Sequence, residues 1–263
     1  MRKKSTISSI KKSKGSQALV MITAYDALFA SLLSDSADMI LVGDSLNMSF
    51  AGKSDTISAT LEQMIYHTNA VCAGAPNSFV VCDMPFGTYT DEEKALINSI
   101  KVFQETKADC VKIEGGADKA HIVKHLTSNA IAVCGHIGLL PQSVRSEGGY
   151  MVKGKTADEK TVLVEDAKAI EAAGAFCMVI EGVKADVAKS IAESVSIPVI
   201  GIGAGADVDG QVLVFSDMLG LFEEFTPKFV KKYMDGASLV RNAVQKYADE
   251  VQQREFPSEI HTY

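Results

Sequence analysis

Short apolar runs alternate along the chain with segments that have the periodicity of an amphipathic helix. The apolar runs cover Ala18–Tyr25, Asp38–Ser45, Ser78–Pro85, Asp109–Gly115, Ala132–Gly138, Ala175–Gly182, Ile197–Gly203 and Gln211–Asp217. The helical segments between them cover Ala27–Ser36, Leu61–Ala73, Asp91–Lys107, Asp118–Ser128, Asp158–Ala173 and Ala185–Ser194. Strands that alternate with helices of this length form parallel βαβ units. Eight such strands close most naturally into a (β/α)₈ barrel.

The two ends of the chain add helices to this pattern. A short N-terminal helix is predicted to be capped near Ser5 or Thr6 and to stop at Gly15. The tail carries apolar stripes that predict two further helices, divided by Gly236. The connection between the last two strands is too short for a crossover helix. The sequence therefore predicts one barrel domain over residues 1–263, with a short N-terminal helix and C-terminal helices.

Two connections are longer than a barrel requires. Leu46–Ala59 follows the second predicted strand, and Leu139–Ala157 follows the fifth. Both leave the carboxyl ends of strands, where the active sites of such barrels lie. Long loops in that position commonly serve as lids or binding loops. We expect both of them to take part in the site.

Composition and charge exclude several classes of partner. The net charge of −7 argues against a nucleic acid or an anionic membrane as partner. No run approaches the ~20 apolar residues of a membrane span, and the basic first 14 residues are not followed by the apolar core of a targeting signal. The five cysteines are widely spaced and odd in number, which is typical of free thiols in a reducing compartment. We expect a cytoplasmic protein that acts on small molecules.

Polar residues interrupt the apolar runs where the predicted strands end. These residues are Asp44 with Ser45, Asp83, Lys112 with Glu114, His136, Glu181, and the turn Gly201–Gly205. Lys112 and Glu114 are two positions apart and share a strand face, which in a closed barrel would be the interior. One interpretation is a self-neutralising internal ion pair, although such pairs are weak stabilisers. The other is a metal or oxyanion site at the rim.

Carboxylates on several strands favour the second interpretation. Side chains that converge on one mouth would repel one another strongly without a cation and would raise one another's pKa values. Carboxylate oxygens without cysteine are hard ligands that suit Mg²⁺, which keeps open positions for a substrate. The turn Gly201–Gly205 lacks the helix and acidic residue of a dinucleotide site, and it could be either a tight turn or a ligand contact. His121 and His125 lack the glutamate of a zinc-protease motif, so a solvated helix face is expected there.

The segments at the strand ends also resemble a known family. They are Ile22–Asp26, Leu41–Leu46, Asp83–Gly87, Val111–Gly116, Cys134–Gly138, Pro141–Ser143, Gly148–Tyr150 and Gly201–Gly205 with Asp209–Gln211. In this order, over nearly the whole chain, they resemble the ketopantoate hydroxymethyltransferases. The resemblance implies a (β/α)₈ barrel that uses Mg²⁺ and belongs to pantothenate and coenzyme A biosynthesis. It further implies transfer of a one-carbon unit from 5,10-methylenetetrahydrofolate to 3-methyl-2-oxobutanoate, which yields 2-dehydropantoate and tetrahydrofolate.

The resemblance also assigns roles to individual positions. Asp44, Asp83 and Glu114 correspond to metal ligands, direct or through water, and the two aspartates also belong to the substrate site. Family members form homodecamers, which implies the same assembly here.

Further positions correspond to contacts with the substrate. Ser45 and Lys112 match residues that bind the keto acid, and Glu181 matches the proton acceptor. Ile180–Lys184 departs from the usual family residues just after the glutamate, and Arg145–Glu147 lies in a variable part of the long loop. These departures concern the folate side of the pocket and remove no proposed catalytic side chain.

The chemistry of a keto acid fits these residues without the family name. A 2-keto acid chelates Mg²⁺ through its carboxylate and keto oxygens, and the ion stabilises a developing enolate. Glu181, a rim carboxylate free of the metal, would remove the proton next to the ketone. One alternative is a metal-dependent aldolase or lyase of the same barrel type that acts without folate. Another is a non-catalytic barrel that binds a metabolite, although it leaves the inward charges unexplained.

Overall fold

Residues 4–263 are described in a computed structural model, and they contain a closed barrel of eight parallel strands. The strands follow one another around the barrel in chain order, and β8 pairs with β1 to close it. Their bounds are β1 Leu19–Thr23, β2 Met39–Val42, β3 Phe79–Asp83, β4 Cys110–Glu114, β5 Val133–Gly138, β6 Cys177–Glu181, β7 Val199–Ile202 and β8 Gly210–Leu213. The predicted (β/α)₈ barrel is confirmed.

Helices occupy most of the connections between strands, as predicted. In chain order they are α1 Ile7–Lys12, α2 Ala27–Leu33, α3 Leu46–Ser49, α4 Leu61–Gly74, α5 Glu92–Glu105, α6 Ala120–Ser128, α7 Val144–Glu147, α8 Ala157–Ala172, α9 Ala185–Ser194, α10 Phe215–Met218 and α11 Gly236–Gln252. Short 3₁₀ helices lie at Ala117–Lys119, Pro141–Ser143 and Glu259–His261. Within the described chain no helix lies between β7 and β8, which agrees with the short connection seen in the sequence.

The barrel interior is filled by alternate side chains of the strands. Met21, Met39, Val81 and Cys177 belong to one buried apolar cluster, and they come from four different strands. Ile10 of α1 is part of the same cluster. Because this apolar filling comes from the middle and amino ends of the strands, the inward positions at their carboxyl ends are left for the polar residues of the site.

The N-terminal helix follows its predicted capping. The Thr6 hydroxyl accepts a hydrogen bond from the Ser9 backbone amide, and the Ser9 hydroxyl accepts one from the Thr6 backbone amide, as in a capping box. Gly15 has a φ of 65°, a conformation that glycine adopts without strain. The helix therefore ends in the short turn that precedes β1.

The chain separates into two compact units, one up to Val214 and one over Phe215–Tyr263. The first unit contains the whole barrel. The single domain expected from the sequence stays a prediction.

The second unit differs from the predicted tail. The eighth strand ends at Leu213, which pairs with Ile22 of β1, and the chain then forms α10 where the strand was predicted to continue to Asp217. The helix predicted before Gly236 is also absent from the described residues. Tyr233 and Gly236 donate their backbone hydrogen bonds to the carbonyls of residues 218 and 219, so these amides are not available for a helix. A Cβ at Gly236 would lie 2.4 Å from the Leu219 carbonyl, so this close approach requires glycine.

All five cysteines are buried and unpaired. Four lie on strands of the barrel, and Cys72 lies on α4. They pack as small core residues, as the sequence predicts. No helix among residues 4–263 is long and apolar enough to cross a membrane.

Candidate active site

Three carboxylates lie on neighbouring strands at the carboxyl end of the barrel. Asp83 and Glu114 are the last residues of β3 and β4, and Asp44 lies two positions beyond β2. All three are nearly inaccessible to solvent, with 3–4% of their surface exposed. Because β2, β3 and β4 are adjacent in the barrel, the three side chains meet at one mouth, as expected from the sequence.

The backbone before Asp44 brings two of these acids close together. The Asp44 amide donates a hydrogen bond to Asp83 Oδ2 at 3.1 Å. A Cβ at Gly43 would lie 3.4 Å from the same Asp83 oxygen and 2.8 Å from Ser45 Oγ. Glycine is therefore the residue that leaves room after β2 for both the Asp83 carboxylate of β3 and the Ser45 side chain of the same turn.

Lys112 lies among the carboxylates and is itself 4% exposed. Its Nζ lies 3.2 Å from Asp83 Oδ1 and 3.8 Å from Glu114 Oε1. It also lies 2.9 Å from His136 Nδ1. The lysine is thus paired more closely with Asp83 than with Glu114, so the isolated Lys112–Glu114 pair considered from the sequence is replaced by a network.

His136 connects Glu114 to Glu181. Its Nδ1 lies 3.5 Å from Glu114 Oε1, and its Nε2 lies 3.3 Å from Glu181 Oε2. The Glu181 side chain is 20% exposed, whereas the other charged groups of the mouth are almost fully buried. Glu181 is therefore the acid of this group that a substrate in the mouth reaches most easily. The sequence marked His136 as a strand-end residue but gave it no role.

The charges at the mouth shift the acidities of the carboxylates in different directions. Burial, followed by the negative charges of Asp83 and Glu114, raises the pKa of Asp44 well above its usual value. Burial also raises the pKa of Asp83, against the attraction of Lys112. For Glu114, burial is outweighed by hydrogen bonding and charge from the neighbouring histidine and lysine, so its pKa is lowered. The positive charge around the two aspartates is therefore too small to offset the effects of burial and of the neighbouring carboxylates.

The two basic side chains bind their protons more firmly than usual. Burial and the charge of Lys112 disfavour the imidazolium of His136, but Glu114 and Glu181 raise its pKa to about 9. Burial likewise disfavours the ammonium of Lys112, and the carboxylates around it raise its pKa nevertheless. The Lys112 ammonium donates to Nδ1 when the ring is neutral, whereas a charged ring donates to Glu114 and Glu181. The ring thus has two protonation states with different partners.

Ser45 faces the same mouth and has a partner that the sequence did not single out. Its Oγ lies 2.8 Å from the Tyr25 hydroxyl, and either group could donate. Tyr25 is buried at the end of β1. Tyr25 occurs in one of the segments that carry the family resemblance, but nothing in its spacing indicates this contact.

The two long loops meet each other above the barrel. Arg145 donates from Nε and Nη2 to Asp55 Oδ2, at 3.0 and 2.8 Å. The Tyr150 hydroxyl lies 3.6 Å from the Met48 sulfur. We call this set of contacts between the loops 46–59 and 139–157 the loop clasp. Arg145, noted from the sequence only as part of a variable patch, holds it together.

The number of carboxylate oxygens that are free of other contacts determines whether a metal ion could bind here. Across the described residues no group of three or more His, Cys, Asp or Glu side chains is arranged to hold one ion. Both Glu114 oxygens are already engaged, since Oε2 accepts from the Gln142 amide and Oε1 faces Lys112 and His136. Asp83 Oδ1 is buried and accepts no hydrogen bond from the described part of the chain, although the Lys112 ammonium lies 3.2 Å away as its ion-pair partner. Two aspartates with spare acceptor capacity fit Mg²⁺, which is commonly held by one or two carboxylates and several waters.

Comparison with known proteins identifies the family. A family model described as ketopantoate hydroxymethyltransferase matches residues 4–259, nearly the whole chain. The chain belongs to the ketopantoate hydroxymethyltransferase family. The resemblance found in the strand-end segments is thereby confirmed.

Relatives within the ketopantoate hydroxymethyltransferase family cover the full length of the chain. Three examples follow, and each is named 3-methyl-2-oxobutanoate hydroxymethyltransferase. The protein from Sulfurimonas denitrificans is 77% identical over 263 residues, which is 100% of both chains. The protein from Aliarcobacter butzleri is 65% identical over 99% of this chain and 97% of its own. That from Helicobacter pylori strain G27 is 51% identical over 99% and 97%.

Solved structures share the fold at low sequence identity. 2,3-Dimethylmalate lyase, a member of the PEP mutase/isocitrate lyase superfamily, superposes with a TM-score of 0.58 and 14% identity, over 96% of this chain and 89% of its own. A phosphonopyruvate hydrolase in complex with oxalate and Mg²⁺ gives a TM-score of 0.61 and 12% identity, over 98% and 93%. At these identities the likeness shows the barrel fold alone.

Proposed function

We propose that the protein transfers a one-carbon unit from 5,10-methylenetetrahydrofolate to 3-methyl-2-oxobutanoate, which yields 2-dehydropantoate and tetrahydrofolate. The relatives' shared name supports the acceptor and the reaction class. The observation that carries the proposal is the mouth itself, where buried aspartates adjoin a lysine and a partly accessible glutamate. The product would enter pantothenate and coenzyme A biosynthesis.

Asp44 and Asp83 are the residues that would hold Mg²⁺, with Glu114 acting directly or through water. The raised pKa values of the two buried aspartates support this assignment. Asp83 Oδ1 supports it too, because this buried oxygen accepts no hydrogen bond from the described residues and faces only the ion-pair contact with Lys112 at 3.2 Å. When bound, the ion would act as a Lewis acid on the keto and carboxylate oxygens of the substrate. The two aspartates thereby also belong to the substrate site.

Ser45 and Lys112 would bind the keto acid. The Lys112 ammonium is fixed by Asp83 and His136 and provides positive charge at the depth of the mouth. Ser45 Oγ, shared with Tyr25, offers a hydroxyl at the rim of β2. Together these groups would orient the substrate carboxylate so that C3 faces β6.

Glu181 would remove the C3 proton of the keto acid. It ends β6, and its Oε2 lies 3.3 Å from His136 Nε2. It is not one of the residues that would hold the metal ion, so it is free to accept a proton. The enolate carbon C3 bonds to the methylene carbon of the folate, both C–N bonds of that carbon break, and water supplies the hydroxyl oxygen of the product. The proton from C3 and the two from water end on the two folate nitrogens and the new hydroxyl group. The loop clasp would shield the reactive one-carbon unit from premature hydrolysis.

A product assay tests this proposal. Purified protein is incubated with Mg²⁺ and 3-methyl-2-oxobutanoate, with and without methylenetetrahydrofolate. The proposal expects 2-dehydropantoate only when the folate is present. Turnover of the keto acid without folate would favour the aldolase or lyase alternative, and no turnover in either case would favour a non-catalytic barrel.

Metal removal gives a separate prediction. EDTA should abolish activity and added Mg²⁺ should restore it, because two buried aspartates at one mouth need a cation for charge balance. Asp44→Ala and Asp83→Ala should weaken Mg²⁺ binding measured by calorimetry. Asp158→Ala, at an exposed position on α8, is the control. Full activity of a metal-free preparation would contradict the magnesium assignment.

The surface of the barrel supports the proposed assembly into a homo-oligomer, by family resemblance a homodecamer. Leu28 and Leu32 on α2 are about two-thirds exposed, as are Tyr66 on α4 and Ile97 on α5. α2 packs against α4, and α4 against α5, so these apolar side chains lie on neighbouring helices. A monomer rarely leaves so many large apolar residues together in solvent.

The proposal includes a cytoplasmic location and small molecules as the partners. Five buried, unpaired thiols support a reducing cytoplasm. The partners would be the keto acid and the folate, with no nucleic acid and no membrane, in keeping with the net charge of −7.

A further inference from the structure

Gln142 makes contact with two of the three carboxylates through different groups. It lies in the 3₁₀ helix after β5 and is 5% exposed. Its backbone amide donates to Glu114 Oε2 at 3.1 Å. Its side-chain Nε2 donates to Asp44 Oδ2 at 2.8 Å and to the Met84 carbonyl at 3.0 Å. One residue of the loop therefore fixes acids that come from two different strands.

Both hydrogens of the Gln142 amide are used, and both acceptors are unable to donate. A carboxylate and a backbone carbonyl can each only accept a hydrogen bond. If the amide rotated by half a turn, Gln142 Oε1 would face Asp44 and Met84 O. Asp44 would then meet a second acceptor and lose its donor, which is costly in a buried site.

Tyr89 provides the hydrogen-bond donor for the oxygen of the amide. Its hydroxyl donates to Gln142 Oε1 at 2.5 Å, and the tyrosine is 7% exposed. Only a donor can satisfy Oε1, because the amide oxygen has no hydrogen. Because a phenol can also accept a hydrogen bond, the acceptors Asp44 and Met84 O set the direction of the amide, and the Tyr89 hydroxyl holds Oε1 in that orientation.

We propose that Gln142, held by Tyr89, is a positioning residue that keeps the Asp44 carboxylate in place for the divalent cation. This inference rests on the proposed function, since it presumes that Asp44 and Asp83 bind Mg²⁺. Neither Gln142 nor Tyr89 is a metal ligand in this scheme. They act by restricting the rotation of Asp44, so the cation meets a carboxylate that is already oriented.

The test measures Mg²⁺ affinity of the full-length protein by calorimetry, without substrates. Tyr89→Phe keeps the ring and removes the donor, and Gln142→Met keeps the volume and removes the amide. The backbone hydrogen bond to Glu114 remains in both variants, so a change reports on the side chains. Loss of a group that orients a metal ligand typically costs about 10–100-fold in affinity, and we expect that range for Gln142→Met and its lower end for Tyr89→Phe.

Two further measurements separate positioning from simple packing. Activity at saturating Mg²⁺ should largely recover in Tyr89→Phe, while the Mg²⁺ concentration for half-maximal activity rises in proportion to the Kd. The double variant should bind Mg²⁺ no more weakly than Gln142→Met alone, because Tyr89 acts through Gln142. Tyr247→Phe, which removes an exposed hydroxyl on α11, is the control and should leave the Mg²⁺ Kd unchanged.

The outcomes separate this inference from the proposed function. Wild-type protein that binds no Mg²⁺ would overturn the magnesium assignment and this inference with it. Wild-type binding with an unchanged Kd in Tyr89→Phe would overturn the positioning role alone. Circular dichroism and thermal unfolding establish that each variant is folded. If Gln142→Met does not fold, Tyr89→Phe decides the question.

Discussion

The charged residues of the mouth are paired mainly with one another. Lys112 is held between Asp83 and Glu114, and His136 links this group to Glu181. Burying so many charges is costly unless each of them is paired. Burial raises the pKa values of Asp44 and Asp83, so their negative charges are not fully compensated by Lys112 and His136. Single substitutions of these residues should therefore change both the kinetic constants and the free energy of unfolding, and the two effects can be measured separately.

Glu181→Gln tests the proposed base. The variant keeps the shape of the side chain and removes its basicity, so keto-acid and Mg²⁺ binding should stay nearly intact. General-base catalysis is typically worth about 10²–10⁴-fold, and kcat should fall by that order. The half-reaction is followed by NMR as exchange of the C3 proton of 3-methyl-2-oxobutanoate into D₂O with Mg²⁺ present. Exchange at the wild-type rate in the variant would make His136, 3.3 Å away, the next candidate.

Lys112→Ala tests the substrate contact. The keto-acid KM should rise at least as much as kcat falls, because the proposed role of the lysine is to bind the substrate carboxylate and not to transfer protons. The same change leaves the buried acids Asp83 and Glu114 without their ammonium, which should cost about 3–5 kcal/mol of stability. Steady-state kinetics and denaturant unfolding measure the two effects. An unchanged KM in a folded variant would show that the lysine has only a structural role.

At the scale of elements, the loop clasp depends on side-chain contacts between two loops, which the barrel fold alone does not specify. The loops after β2 and β5 belong to different βα units, and the ion pair between Asp55 and Arg145 joins them. The Arg145 side chain is 70% exposed, so the pair should add no more than about 1 kcal/mol to global stability. Its effect should instead appear in the local opening of the loops.

Arg145→Ala should loosen both loops without unfolding the barrel. We expect faster amide hydrogen exchange in residues 46–59 and 139–157 and a several-fold higher KM for methylenetetrahydrofolate. The melting temperature should change little. Arg241→Ala is the matched control, since it breaks an exposed arginine–glutamate pair with Glu223 far along the chain. Equal loop exchange in the Arg145 variant and the wild type would argue against the clasp.

At the scale of the whole molecule, the exposed apolar side chains on α2, α4 and α5 predict self-association. Light scattering of the wild-type protein should give ten times the 28.1 kDa chain mass if the assembly is a decamer. Leu28→Glu combined with Tyr66→Glu should lower that mass, because burying two new carboxylates at an interface is unfavourable. Lys124→Glu, on the exposed side of α6, is the charge-changing control. An unchanged mass in the double variant would place the interface elsewhere.

Much of the barrel could be predicted because its signals are local. Alternation with a period of two and helical periodicity of 3.6 are written into each segment, and the observed strands lie within the predicted runs or begin one residue before them. The same regularity placed Asp44, Asp83 and Glu114 at the ends of adjacent strands, where a closed parallel barrel brings them together. The helix predicted before Gly236 was wrong for the opposite reason. Its apolar stripe is local, but its backbone amides pair with residues 218 and 219.

The sequence by itself determined the barrel, the family and the charged residues at its mouth. Only the tertiary structure showed that Gln142 and Tyr89 contact each other and Asp44, that His136 joins Glu114 to Glu181, and that Arg145 reaches Asp55. These contacts join side chains from different βα units, several of them in loops without periodicity. Such contacts exist only once the barrel has closed, because closure sets the distance between one strand end and the next.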